Sequence, residues 1–178
     1  MNDPKLRNAE LHRISPEEYR SLPESGLVVV LDNIRSAYNV GSIFRTADAF
    51  RADKLWLCGI CATPPGAEIH KTALGAENSV PWEHVPSATA LAALLKDRGY
   101  TLVSVEQTRH ARSLEEFRPE PGQRYALVFG NEVDGVCQEV VDASDFCLEI
   151  PQWGTKHSLN VAVSAGVVLW QFRAREVR

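Results

Sequence analysis

The feature that most constrains this chain is Leu27–Leu31, five apolar residues in a row, three of them valines. A strand with one face in water alternates apolar and polar side chains. An unbroken β-branched run instead fits a strand covered on both faces, as in parallel sheets sandwiched by helices. The segments that follow keep to that scheme. Asn39–Phe50 places Val40, Ile43, Phe44, Ala47 and Phe50 at helical spacing. Lys54–Cys58 reads as a second strand, Thr63–Gly66 with Pro64-Pro65 as a turn, and Trp82–Val85 as a short strand. Ser87 is placed to cap a helix that carries Leu91, Leu94 and Leu95 and stops at Gly99. Tyr100–Val105 is a strand, Gln107–Gln123 mostly loop, Tyr125–Phe129 a strand, Val136–Ala143 a helix and Phe146–Ile150 a strand. Ser158–Arg173 closes the series as a helix that is apolar almost all round. Strands alternating with helices imply an α/β fold, a mainly parallel sheet with helices on both faces. A helix apolar on every side predicts deep burial or a subunit interface.

The 178 residues suit one domain with a sizeable core. Residues 1–25 read as a polar N-terminal extension, with one short helix after Ser15, whose capping-box partner is Glu18. Residues 26–178 form the domain proper. No apolar run approaches a membrane span, and Met1–Arg13 is too charged for a signal peptide, so a cytoplasmic protein without membrane contact is expected. The net charge of −4 does not announce nucleic-acid binding, yet a local arginine patch suffices for it. Cys58 and Cys61 form a C-x-x-C, but Cys137 and Cys147 supply no second knuckle, so buried thiols are expected rather than a metal or redox pair. His70 and His157 have no acidic partner at helical spacing, which predicts phosphate contact or plain exposure.

In open α/β sheets ligands bind at the carboxyl ends of strands. Three segments follow apolar strands directly and combine glycine with polar residues: Asp32–Arg45, Gly130–Gly135 and Pro151–Asn160. Each glycine taken singly is an ordinary turn residue. Asn39 and Arg45 lie on one helix, with Arg45 beside its apolar face. Glu132 sits in a glycine-flanked loop where it can orient a cation or an amide. Ser158 has the chemistry of an N-cap. Asn160, within an apolar run, would need polar partners if buried. No G-x-G-x-x-G follows the first strand and no Walker-type loop exists, which argues against a common dinucleotide or triphosphate fold.

Together the three segments resemble the three motifs of the SpoU (TrmH-like) methyltransferases in the SPOUT superfamily. Asn39–Phe50, "NVGSIFRTADAF", resembles the first. Ala126–Val136, "ALVFGNEVDGV", resembles the second. Ile150–Trp170, "IPQWGTKHSLNVAVSAGVVLW", resembles the third. The resemblance implies a C-terminal trefoil knot, a homodimer, and S-adenosylmethionine as methyl donor with no metal. It implies transfer to a ribose 2′-hydroxyl of tRNA or rRNA. It assigns catalytic positions to Arg45, Asn39, Glu132, Ser158 and Asn160, and places the backbone of Gly130, Ile150 and Leu159 around the donor. Arg45 would either help deprotonate the hydroxyl or stabilise developing oxyanion charge. Gln152 stands where similar proteins often have methionine, and Arg51 where they often have glycine. The alternatives are a catalytically silent RNA-binding module on the same fold and a methyltransferase acting on a non-RNA substrate. The terminal arginines Arg7, Arg13, Arg20, Arg173, Arg175 and Arg178 are the candidates for RNA contact outside the motifs.

Overall fold

The computed structural model describes residues 3–174. Strand β1, Leu27–Asp32, is buried at every residue, as its unbroken apolar run requires. The other strands are β2 (Lys54–Cys58), β3 (Trp82–Val85), β4 (Thr101–Val105), β5 (Arg112–Ser113), β6 (Tyr125–Phe129) and β7 (Phe146–Glu149). They form one seven-stranded sheet in the order β3-β2-β1-β6-β4-β7-β5, and each neighbouring pair runs parallel.

The helices are α1 (Pro16–Ser21), α2 (Ala37–Ala49), α3 (Ala67–Ala73), α4 (Ala76–Ser79), α5 (Ala88–Asp97), α6 (Gln138–Ala143) and α7 (Val161–Arg173). Successive strand residues point to opposite faces, and both faces are covered. Val29, Leu31, Leu55, Leu57, Leu127 and Phe129 pack with residues of α2 and α7. Val28, Val30, Trp56, Cys58, Ala126 and Val128 pack with residues of α5 and α6. This two-sided burial is why the strands carry no alternation.

Several elements depart from the sequence reading. The stretch after the Pro64-Pro65 turn, assigned no element from the sequence, folds into two short helices, α3 and α4. α3 lies directly on α2 because position 41 is glycine: a Cβ there would overlap the Ile69 carbonyl and the Thr72 hydroxyl. The loop Gln107–Gln123 includes the two-residue β5, which extends the sheet beyond β7. α7 starts at Val161, and its cap is Asn160 rather than Ser158.

α1 has the predicted capping box of Ser15 and Glu18. Its Tyr19 is buried, and the hydroxyl donates to the Ala52 carbonyl at 2.8 Å, which fastens this extension to the domain. Cys58 and Cys61 are buried thiols, as expected. Burial pushes the Cys61 thiol up to about 11. His70 does have an acidic partner, seven residues on rather than at helical spacing: Nδ1 lies 2.6 Å from Glu77 Oε1, a contact made possible by the break between α3 and α4. No helix among the described residues is long and apolar enough to cross a membrane. Arg175 and Arg178 lie outside the described residues.

Candidate active site

Three apolar strands adjacent in the sheet, β6, β4 and β7, end at the same edge. The loops leaving their carboxyl ends surround a cleft of about 450 Å³. That size suits a small-molecule ligand. Gly130 and Glu132 enter from the loop after β6, and Ile150 from the end of β7. Ser158, Leu159 and Asn160 enter from the segment before α7. Six of the eight residues singled out in the sequence therefore line one cavity.

The turn after β6 is tightly folded. Asn131 and Gly135 exchange backbone hydrogen bonds of 2.9 and 3.0 Å. Gly130 is required by that turn: a Cβ on it would overlap the backbone of Gly135 and Val136. The Asn131 side chain holds the loop from both sides. Its Nδ2 donates to the Asn33 carbonyl at 2.7 Å, and its Oδ1 accepts from the Val133 amide at 2.8 Å.

Glu132 then reaches the start of α2. Its Oε2 accepts from the Arg35 amide at 3.0 Å, and its Oε1 from the Ser36 amide at 3.1 Å and from Asn39 Nδ2 at 2.9 Å. The first amides of a helix lack partners within it and attract negative charge. Partial burial works against the ionised Glu132, but the Arg35 amide, the Asn39 side chain and the Ser36 amide outweigh it and hold the carboxyl below its usual range. Asn39 passes the connection on, since its Oδ1 accepts from Asn160 Nδ2 at 3.1 Å. Asn160 Oδ1 accepts from the Ala162 and Val163 amides at 2.9 and 3.4 Å. Glu132, Asn39 and Asn160 thus form one line of hydrogen bonds that joins all three sequence segments and ties the starts of α2 and α7 together. Asn160 is exposed, and its partners are the α7 amides and Asn39, not the buried surroundings its apolar neighbours suggested.

Ser158 is exposed and lines the cleft without capping a helix. Arg45 is placed elsewhere. It lies six residues beyond Asn39 on α2, is exposed, and is absent from the cleft lining. About 9 Å of helix separates the two positions along the axis. Arg45 shares its face of α2 with the exposed Tyr38. Beside α2, helix α7 exposes Val163 (51%), Val167 (39%) and Trp170 (60%), a stripe at helical spacing.

Residues outside the original set complete the site. Glu106, just past β4, lines the cleft and accepts from the Gln107 amide at 2.8 Å and the Val136 amide at 3.0 Å. Asp32, 1% exposed at the end of β1, accepts from the Cys137 amide at 2.9 Å. Gln107 Nε2 donates to the His157 carbonyl at 2.8 Å and so fastens the loop after β4 to the third segment. The available sequence signal was an acid placed directly at the end of an apolar strand. Glu106, Glu132, Asp134 and Glu149 all line the cleft, and no lysine or arginine among the described residues does. This negative potential favours a cationic ligand and disfavours a phosphate.

Solved structures and sequence relatives agree with this architecture. The structure of the SpoU methyltransferase AviRb from Streptomyces viridochromogenes, in complex with the cofactor AdoMet, superposes with a TM-score of 0.75 at 28% identity. It matches over 86% of this chain and 62% of that one. The 23S rRNA (guanosine-2′-O-)-methyltransferase RlmB of Neisseria meningitidis is 31% identical over 88% of this chain and 62% of its own length. The mouse tRNA (guanosine(18)-2′-O)-methyltransferase TARBP1 is also 31% identical, over 86% of this chain but 10% of its own. The chain thus spans less than two thirds of either relative. The model of the SpoU rRNA methylase family matches residues 26–170, the whole seven-stranded sheet and every segment that builds the cleft, and the chain belongs to that family.

Proposed function

We propose that the protein transfers a methyl group from S-adenosylmethionine to a ribose 2′-hydroxyl of tRNA or rRNA. The observation that carries this reading is the cleft at the carboxyl ends of β6, β4 and β7, acidic and, among the described residues, free of lysine and arginine in its lining. S-Adenosylmethionine carries a sulfonium cation, which such a lining stabilises. Gly130, Ile150 and Leu159 would hold it, and when bound it supplies a methyl group already activated for attack. Residues 26–178 are the transferase domain in this reading, and residues 1–25 an extension of it. The family's trefoil threading and a cytoplasmic location belong to the same proposal.

The chain's own residues have three tasks. Glu132, Asn39 and Asn160 fix the starts of α2 and α7 relative to the cleft, which is the positioning that a bimolecular transfer needs. Ser158, exposed at the cleft edge, is available to the ribose. Arg45 must meet a hydroxyl that loses its proton as the methyl arrives. A guanidinium is a very weak base, so its strongest contribution is to stabilise developing oxyanion charge.

Arg45 does not line this chain's cleft. We therefore assign its action to a homodimer. The Val163, Val167 and Trp170 stripe lies next to the face of α2 that bears Arg45, and a second copy seated there would cover both. RNA phosphates would bind outside the acidic cleft.

Calorimetry with S-adenosylmethionine, followed by methylation of bulk tRNA and rRNA with mass-spectrometric analysis of the nucleosides, tests the reading. Donor binding with a 2′-O-methylated product is expected, and RNA affinity should fall with salt because phosphate contacts release counterions. No donor binding would leave a silent RNA-binding module. Donor binding without RNA affinity would indicate a non-RNA substrate.

A further inference from the structure

The cleft occupies the carboxyl ends of the strands, and a second cavity of opposite character opens at their amino ends. Its volume is about 370 Å³, and the starts of β1, β2 and β4 contribute to its wall through Val28, Lys54 and Tyr100. Five cationic side chains line it, Arg20, Arg51, Lys54, Arg98 and Arg124, against two carboxylates, Glu24 and Asp53. Asp53 is already engaged: it accepts from the amides of Ser25, Gly26 and Leu27 at 2.7, 2.7 and 3.1 Å. Glu24 pairs with Arg124 at 3.2 Å, and Lys54 and Arg20 pair with the exposed Glu83 and Glu17. Exposed pairs of this kind are weak and exchange readily for a better anion. Arg98 makes no side-chain hydrogen bond or ion pair among the described residues.

Two donors in this wall lack acceptors among the described residues. Trp56 is 5% exposed, and its Nε1 has no hydrogen-bond partner. The Nε of Arg51 is buried and likewise unpartnered, although the same guanidinium donates through Nη2 to the Pro23 carbonyl. A buried N–H without an acceptor is costly. Arg51 also occupies a position with φ of +53°, where glycine would sit without strain. Its backbone is therefore strained while its buried Nε has no acceptor among the described residues. The cavity has aromatic walls as well. Lys54 Nζ stands 3.9 Å from the centre of the Trp56 ring, and the Arg124 guanidinium 4.0 Å from that of Tyr100.

We propose that this cavity is a phosphate-binding site for the phosphoryl group of an RNA backbone or of a free nucleotide, with Arg51, Arg98 and Arg124 as its cationic contacts. A phosphate offers several acceptor oxygens in the geometry that arginine matches. The site stands apart from the cleft and does not depend on the transfer chemistry.

Calorimetry on the full chain with inorganic phosphate and with UMP, plus filter retention of a short single-stranded RNA, tests this. Arg51→Gly suits the positive φ and should keep or raise the melting temperature. Arg98→Gln alters an exposed side chain without partners, and Lys71→Gln, on the exposed surface of α3, is the charge-matched control. Each cavity variant should weaken binding of at least one probe by roughly tenfold, and the control should not. Loss confined to phosphate and UMP identifies a free ligand, and loss extending to the oligonucleotide identifies the RNA backbone. Binding indifferent to both cavity variants, absent from all three probes, or weakened equally by Lys71→Gln overturns the proposal. Binding of S-adenosylmethionine, measured in parallel, should stay unchanged in every variant and separates failure here from failure at the cleft.

Discussion

Glu132 and Arg45 mark two extremes among the site residues. Glu132 is held by two backbone amides and Asn39, and these donors keep its carboxyl below the ordinary range. A carboxyl depressed in the folded state stabilises the fold above its unfolded pKa of about 4.3, and that contribution is lost as the pH falls through the folded value. Circular dichroism of acid unfolding should therefore show a flatter acid limb in Glu132→Gln than in the parent below about pH 4.3. Parallel limbs would contradict the bonding described. Arg45 is exposed and holds nothing in place, so Arg45→Ala should change stability by no more than about 0.5 kcal/mol. It should leave donor binding intact and abolish methyl transfer. Full activity in that variant removes Arg45 from the mechanism. The importance of both positions was legible from their place in the motifs. The partners of Glu132 were not, because they lie on residues 93 to 97 positions away.

At the scale of elements, the start of α7 separates two side chains that look equivalent in the sequence. Asn160 caps the helix through the Ala162 and Val163 amides and also bonds Asn39, whereas Ser158 does neither. Asn160→Ala should cost about 1 kcal/mol in denaturant unfolding, and Ser158→Ala close to nothing. Equal losses would restore Ser158 as the cap. β1, β2, β4, β6 and β7 were legible within a residue or so from their apolar runs, whereas the two-residue β5 was not, because it is too short and polar to leave a pattern. α3 and α4 were missed for a related reason. They are short, broken by the left-handed Leu74 and Gly75, and held by packing on Gly41 of α2 rather than by any period of their own.

For the whole molecule, the open matter is what covers α7. The sequence shows a helix apolar all round, and one chain buries Ala165, Val168, Leu169 and Phe172 while leaving Val163, Val167 and Trp170 in water. If a second copy covers that stripe, Trp170→Asp should shift the protein from dimer to monomer in analytical ultracentrifugation and lose transfer while retaining donor binding. A parent protein that sediments as a monomer would return the stripe to another role. The two ends of the sheet also differ in charge, acidic at the cleft and basic at the cavity beneath. The net charge of −4 hides this division, since composition averages over a surface that the fold sorts.

The sequence by itself determined the sheet, its parallel class, and the three segments that reach the cleft. Each of these rests on local patterning: unbroken apolar runs, helical spacing, and polar glycine-rich turns directly after strands. Tertiary structure decided which of those residues meet. It joined Glu132, Asn39 and Asn160 into one line, kept Arg45 out of this chain's own cleft, and gathered Arg51, Arg98 and Arg124 around unpartnered donors at the opposite end. Hydrogen bonds and charge act over a few ångströms of space, whatever the separation along the chain, so they become visible only once strand order has brought distant loops together.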